Sequence, residues 1–187
     1  MSLDLLTCPT GCETEQKPVN FSECSPVLLG AQISDIYVMN DGYPLTNWAD
    51  PAELAARIDN TSTDAAAIRH LTVIGDKPKS EKTQKEISHA RIVYSKKSFT
   101  INFRIDDNSE ENYEFARGTE CNGAVRFLFA TLGGKLYGGN EGIKGNMEIE
   151  EVIVEDGNEY ATLNGTLKWK GKFSPIRIDN PIAADEA

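Results

Sequence analysis

The chain has 187 residues, enough for one domain with a sizeable core and too few for two well-filled ones. Hydrophobic residues at 40% and charged residues at 26% give a globular balance, and the longest apolar runs fall far short of the roughly 20 residues a spanning helix needs. The net charge of −10 is uneven, −7 over residues 1–60, +4 over 61–106 and −7 over 107–187; this argues against free binding to nucleic acid and suits a basic segment of one copy meeting an acidic face of another.

Residues 1–30 carry Pro9, Gly11, Pro18, Pro26 and Gly30 among polar residues without an apolar period, and read as an irregular N-terminal arm. The start, Met1 to Leu6, lacks the basic and apolar regions of a secretory signal, so cytosolic synthesis is expected. A single β-rich domain is expected over 31–178, with a short C-terminal tail at 179–187.

Ala31 to Met39 is a β-branched and aromatic run ended by the turn Asn40-Asp41-Gly42, and predicts the first strand. Asp50-Pro51-Ala52-Glu53 places a capping carboxylate before a proline, with a glutamate near the capping-box position. Leu54, Ala55 and Ile58 then share a face, so a helix is predicted over about 51–59. Ile68 to Ile74 reads as a strand. Residues 75–86 hold no large apolar side chain and read as a long polar loop. Two strands, Ile87 to Tyr94 and Phe99 to Ile105, are expected around Ser95–Ser98, the second with Phe99, Ile101, Phe103 and Ile105 on one face.

Asn108-Ser109-Glu110-Glu111 predicts a short helix stopped by Gly118. Ala124 to Leu132 turns through Gly133-Gly134 into Lys135-Leu136-Tyr137, and Gly138 to Gly142 forms a bend. Met147 to Val154 and Tyr160 to Lys170 make a hairpin across Asp156-Gly157-Asn158. Seven or eight strands joined by turns, with one or two short flanking helices, predict a mainly β fold: an antiparallel sandwich or partly closed barrel.

The constellations that carry chemistry are sparse. Cys8, Cys12, Cys24 and Cys121 offer four thiolates, but a structural zinc site shows two close pairs and this chain shows one, so no metal and no cofactor are expected. His70 and His89 each lie in a strand-like run outside any nucleophile or metal motif. Asp106 to Glu111 lack the spacing of a calcium loop. Glu148, Glu150, Glu155 and Glu159 crowd the last hairpin as an acidic solvent face. Lys77, Lys79, Lys82, Lys85, Lys96 and Lys97 form a basic stretch suited to contact between subunits. No nucleophile, base and orienting partner assemble from spacing, and catalysis is not expected.

Three stretches together resemble tailed-bacteriophage virion structural proteins, closest to the tail-tube class. They are Ile33 to Tyr37 leading to Pro44 to Pro51, then Leu71 to Pro78, and Leu136 to Gly142. The resemblance implies a β-sandwich with a flanking helix, made in the host cytoplasm and resident in the virion. It also implies homo-oligomeric, hexameric rings stacked into a tube, other virion proteins as partners, an acidic lumen for DNA passage, and no membrane. Other sandwich-type virion components, such as a head–tail connector ring or a capsid decoration protein, share these features. A carbohydrate-binding module using Tyr43, Trp48 and Tyr137 is the alternative of another class.

Overall fold

The first strand, β1 (Ile33–Met39), shows how this sequence builds two cores at once. In the computed structural model, which describes residues 29–88, 91–121, 123–153, 155 and 160–182 and only the backbone of 83–88 and 91–95, β1 pairs antiparallel with β2 (Arg69–Asp76) on one side and β5 (Ala124–Thr131) on the other. A register shift between Ile33 and Asp35 inserts a bulge, so Ile33 and Ile36 both point inward. Tyr37 and Met39 then face outward into a second apolar layer. This double burial explains the nearly unbroken apolar reading of β1 and β5.

The inner layer is the interior of a closed barrel. Six antiparallel strands follow one another around it in the order β1, β2, β4 (Arg91–Ile105), β8 (Thr162–Gly171), β7 (Ile143–Val152) and β5, which returns to β1. The expected choice between sandwich and barrel therefore resolves to a barrel with extra strands. Its filling is aromatic: Phe99 stacks on Trp169 with centroids 5.1 Å apart, Phe127 meets the same indole edge-on at 5.4 Å, and Phe129 stacks on Tyr137 at 4.7 Å.

The outer layer lies against β1 and β5. Helix α1 (Pro51–Arg57) delivers Leu54, fully buried, onto Tyr37, Met39, Leu128 and Ala130, together with Leu45 and Trp48. Asp50 caps it by accepting the Ala52 N–H at 2.9 Å. Glu53 does not close a capping box; its carboxylate accepts the N–H groups of Thr46 and Asn47, at 2.7 and 2.8 Å, and so fixes the approach to the helix. Strands β6 (Lys135–Gly138) and β9 (Ile176–Asp179) complete the layer with Leu136 and Ile178. β9 was not expected, and the anticipated domain border at 178 falls inside it. Four residues are too short a run to show a period.

Where the barrel wall parts, other elements satisfy the exposed backbone. β5 and β7 pair over only four positions, and α2 (Glu110–Cys121) fills the seam: Met147 N–H donates to Gly123 O at 2.7 Å and Ile149 N–H to Thr119 Oγ1 at 3.2 Å. Gly118 does not stop this helix. A glycine inside a helix costs only about 1 kcal/mol, and buried Thr119 holds the final turn through these bonds. Beside β2, Asn60 exchanges two hydrogen bonds with the main chain of His70 in place of a strand.

The largest departure from expectation is at residues 75–98. Part of the polar loop is a strand, β3 (Glu81–Ser88), paired antiparallel with β4, and β4 runs unbroken through Ser95–Ser98. Residues 81–86 carry no large apolar side chain, so no hydrophobic period marks them as strand, and the single strand expected over Ile87 to Tyr94 is divided between the end of β3 and the start of β4. β4 is shared with β8 from Lys97 to Ile105; before Lys97 its described partner is β3 alone.

Candidate functional site

The anticipated basic stretch lies in this ribbon and its root. Lys77 and Lys79 lie in the link from β2, Lys82 and Lys85 in β3, and Lys96 and Lys97 in β4. Lys77 Nζ stands 5.3 Å from the Phe99 ring centroid at the barrel rim, a cation–π contact that anchors the link. Lys82 and Lys97 are directly opposite in the ladder. The structure thus places lysines spread over twenty-one positions on one two-stranded ribbon and the link at its root.

The anticipated acidic face is only partly acidic. Glu148 and Glu150 project outward from β7 into a shallow groove of about 620 Å³ across β2, β4, β8 and β7, which Asp76, Arg104 and Lys168 also line. Three carboxylates therefore share the groove with two cations. The alternation of β8, read correctly as buried Leu167 and Trp169 against exposed lysines, places Lys168 among the glutamates. Glu155 is exposed beyond the strand, while Glu159 and the Asp156–Asn158 turn lie outside the described residues.

Of the four cysteines, Cys121 is free and exposed at the end of α2; Cys8, Cys12 and Cys24, like residues 1–28 of the expected N-terminal arm, lie outside the described residues, as does His89. Among the described residues no three potential metal-ligating side chains converge. Asp106 is engaged by Arg104 at 2.7 Å, and Asp107 accepts the Ser109 N–H at 3.2 Å. The glycine-rich bend is a docking point for another loop. Asn140 accepts the N–H groups of Leu45 and Trp48, at 2.7 and 2.9 Å, and thereby joins two of the stretches that carry the resemblance.

One polar cluster had no signal in the sequence. The β1 bulge turns Asp35 outward, where its Oδ1 lies 2.7 Å from His70 Nε2 and its Oδ2 accepts the Ser34 hydroxyl at 2.6 Å. The His70 ring stacks on Tyr37, centroids 5.0 Å apart, at the edge of a cavity of about 320 Å³ that Ile58, Asn180 and Ile182 also line. Burial alone would raise the Asp35 pKa, but the hydrogen bonds from His70 and Ser34 outweigh it and hold the carboxyl below its ordinary value. Burial, with the Asp35 charge beside it, pushes the Tyr37 phenol up to about 12. Because Ser34 donates to the carboxylate and not to the imidazole, its oxygen is not activated, and the cluster ties β1 to β2 without forming a nucleophile relay.

Of the three aromatics named for a sugar-binding platform, two are packed away. Trp48 is 8% exposed within the second core and Tyr137 is stacked on Phe129, which leaves Tyr43. No helix among the described residues is long and apolar enough to cross a membrane. The geometry defines a class, a closed six-stranded antiparallel barrel bearing a basic two-stranded ribbon and a second core under a short helix. No protein-family model matches the chain, and neither the curated proteins nor the solved structures yield a match.

Proposed function

We propose that this chain is a non-catalytic assembly subunit of a virion, of the bacteriophage tail-tube kind, building stacked rings that DNA traverses without sequence recognition. The observation that carries the reading is the β3–β4 ribbon. Before Lys97, where β4 leaves the barrel sheet, its described partner is β3 alone, so the chain extends a two-stranded ribbon beyond the barrel wall. A two-stranded ribbon by itself is only marginally stable in water, so contact with another chain stabilises it. A flanking helix on a β-rich body agrees with the tail-tube resemblance, as does a net charge of −10, which keeps passing DNA from adhering. Electron microscopy of the purified full-length chain tests the proposal. Rings or tubes are expected; a field of isolated particles at every concentration up to the solubility limit would overturn it.

A further inference from the structure

The outer edge of β3 is a strand edge with no partner among the described residues, since β3 pairs with β4 and lies off the path of the main sheet. A strand edge without a described strand partner is a template for another extended chain, and native proteins do not leave such an edge uncovered without cost. We infer that the edge receives residues from the N-terminal segment, 1–28, of a second copy of this chain, added as a further strand. The inference rests on the assembly reading above and names its joint.

Position argues for a second copy. The N-terminal segment joins the body at Leu29 and Gly30, where Gly30 lies so close to Gly133 that a methyl group on Gly133 would stand 2.8 Å from the Gly30 nitrogen. Gly133 follows β5, and around the barrel β5 and β4 are three strands apart in either direction. The attachment points of segment and ribbon therefore lie on opposite sides of the barrel. They lie at the same end: Ile33 pairs with both Thr131 and Gly75, and Gly75 is one residue short of the end of β2, where the link to the ribbon starts. A donor on one side and an acceptor on the other make a heterologous contact, which closes into a ring when the rotation between copies allows. Twenty-eight extended residues span up to about 90 Å, ample for a neighbour.

Chemistry argues for this occupant. Residues 1–28 hold four carboxylates and one lysine, whereas residues 77–98 hold seven basic and two acidic side chains. Between Pro18 and Pro26 lies a proline-free run, Val19 to Ser25, in which Val19, Phe21 and Glu23 alternate with Asn20, Ser22 and Cys24. Seven residues that retain every N–H match an eight-residue edge, and the prolines at either side end the pairing.

Cys24 supplies the test. In full-length protein with Cys8, Cys12 and Cys121 replaced by serine, one cysteine is placed in turn at each position from Glu81→Cys to Ser88→Cys, and the assembled particles are oxidised. Disulfide-linked multimers on non-reducing electrophoresis, at alternate positions and lost on reduction, are the expected result. Particles that form normally but give no link at any position, or only a link within one chain, overturn the inference and leave the assembly reading standing. No particles at all removes both. Amide exchange on the unsubstituted chain gives an independent reading: residues 19–25 and 81–88 exchange at least tenfold more slowly in particles than in dissociated protein, and equal rates contradict the joint.

Discussion

Lys82 of β3 and Lys97 of β4 face each other across the ribbon at the point where β4 leaves the barrel sheet. Like charges directly opposite in a ladder disfavour pairing, and an opposite pair contributes roughly 0.2–1 kcal/mol. A carboxylate in place of one lysine turns the like pair into an opposite pair and withdraws positive charge from the face proposed to meet an acidic partner. Lys97→Glu is therefore expected to leave the thermal midpoint of dissociated protein unchanged or slightly raised. It should increase the concentration needed for assembly by about tenfold, a change of ~1.4 kcal/mol. Calorimetry and light scattering on the same variant read the two effects, and a variant that assembles like the parent contradicts the role given to the ribbon.

In the barrel interior Phe103 and Gly165 are cross-strand partners, and the phenyl ring lies over the glycine where a Cβ would stand. Gly165→Ala overpacks this site and is expected to cost about 1–3 kcal/mol. Phe103→Ala leaves a cavity and costs about 3–5 kcal/mol. With the ring gone the added methyl has room, so the double variant should be more stable than the two single losses predict. Urea unfolding of the four proteins measures the coupling.

The Asp35–His70 contact ties β1 to β2 and gives an acid-side signature. The Asp35 pKa is lowered in the folded chain from an ordinary value of 3.8, so the unfolded chain binds the proton more readily. The contact's contribution is complete above pH ~5 and is lost as pH falls through 3.8 toward the folded value. Asp35→Asn is expected to cost about 1 kcal/mol at pH 7, and its deficit should shrink below pH 3.8. A deficit equal at pH 7 and pH 3 would show that charge plays no part.

Tyr37 gives the opposite sign at alkaline pH. Its pKa is raised from 10.0 to about 12, so folded protein resists losing this proton. Stability is unaffected below pH 10, falls as pH rises toward 12, and loses up to about 3 kcal/mol in all. Tyr37→Phe should flatten that part of the curve, and the absorbance of tyrosinate in the folded parent should show one phenol titrating late.

Those elements whose side chains face a core were legible in advance. Phe99, Ile101, Phe103 and Ile105 alternate because they fill the barrel, and Asp50-Pro51 announces α1 because a helix start needs an acceptor and tolerates a missing donor. Of the ribbon, Ile87 to Tyr94 was legible as extended chain, while residues 81–86 were read as polar loop because main-chain pairing leaves no mark on side-chain period. Gly118 misled because a tertiary bond that Thr119 Oγ1 accepts from the Ile149 N–H outweighs a small local penalty. Asp35 and His70 are thirty-five positions apart and meet only because a bulge changes which way β1 faces. Lys168 was read as exposed, yet its place among Glu148, Glu150 and Asp76 depends on four strands coming together.

The mass of the full-length chain in solution, followed by light scattering across a concentration series at near-physiological salt, tests assembly most directly. The account predicts a mass that climbs to a fixed multiple of 20.6 kDa, with longer stacks at higher concentration. A mass of 20.6 kDa at every concentration, with the barrel folded, would contradict it.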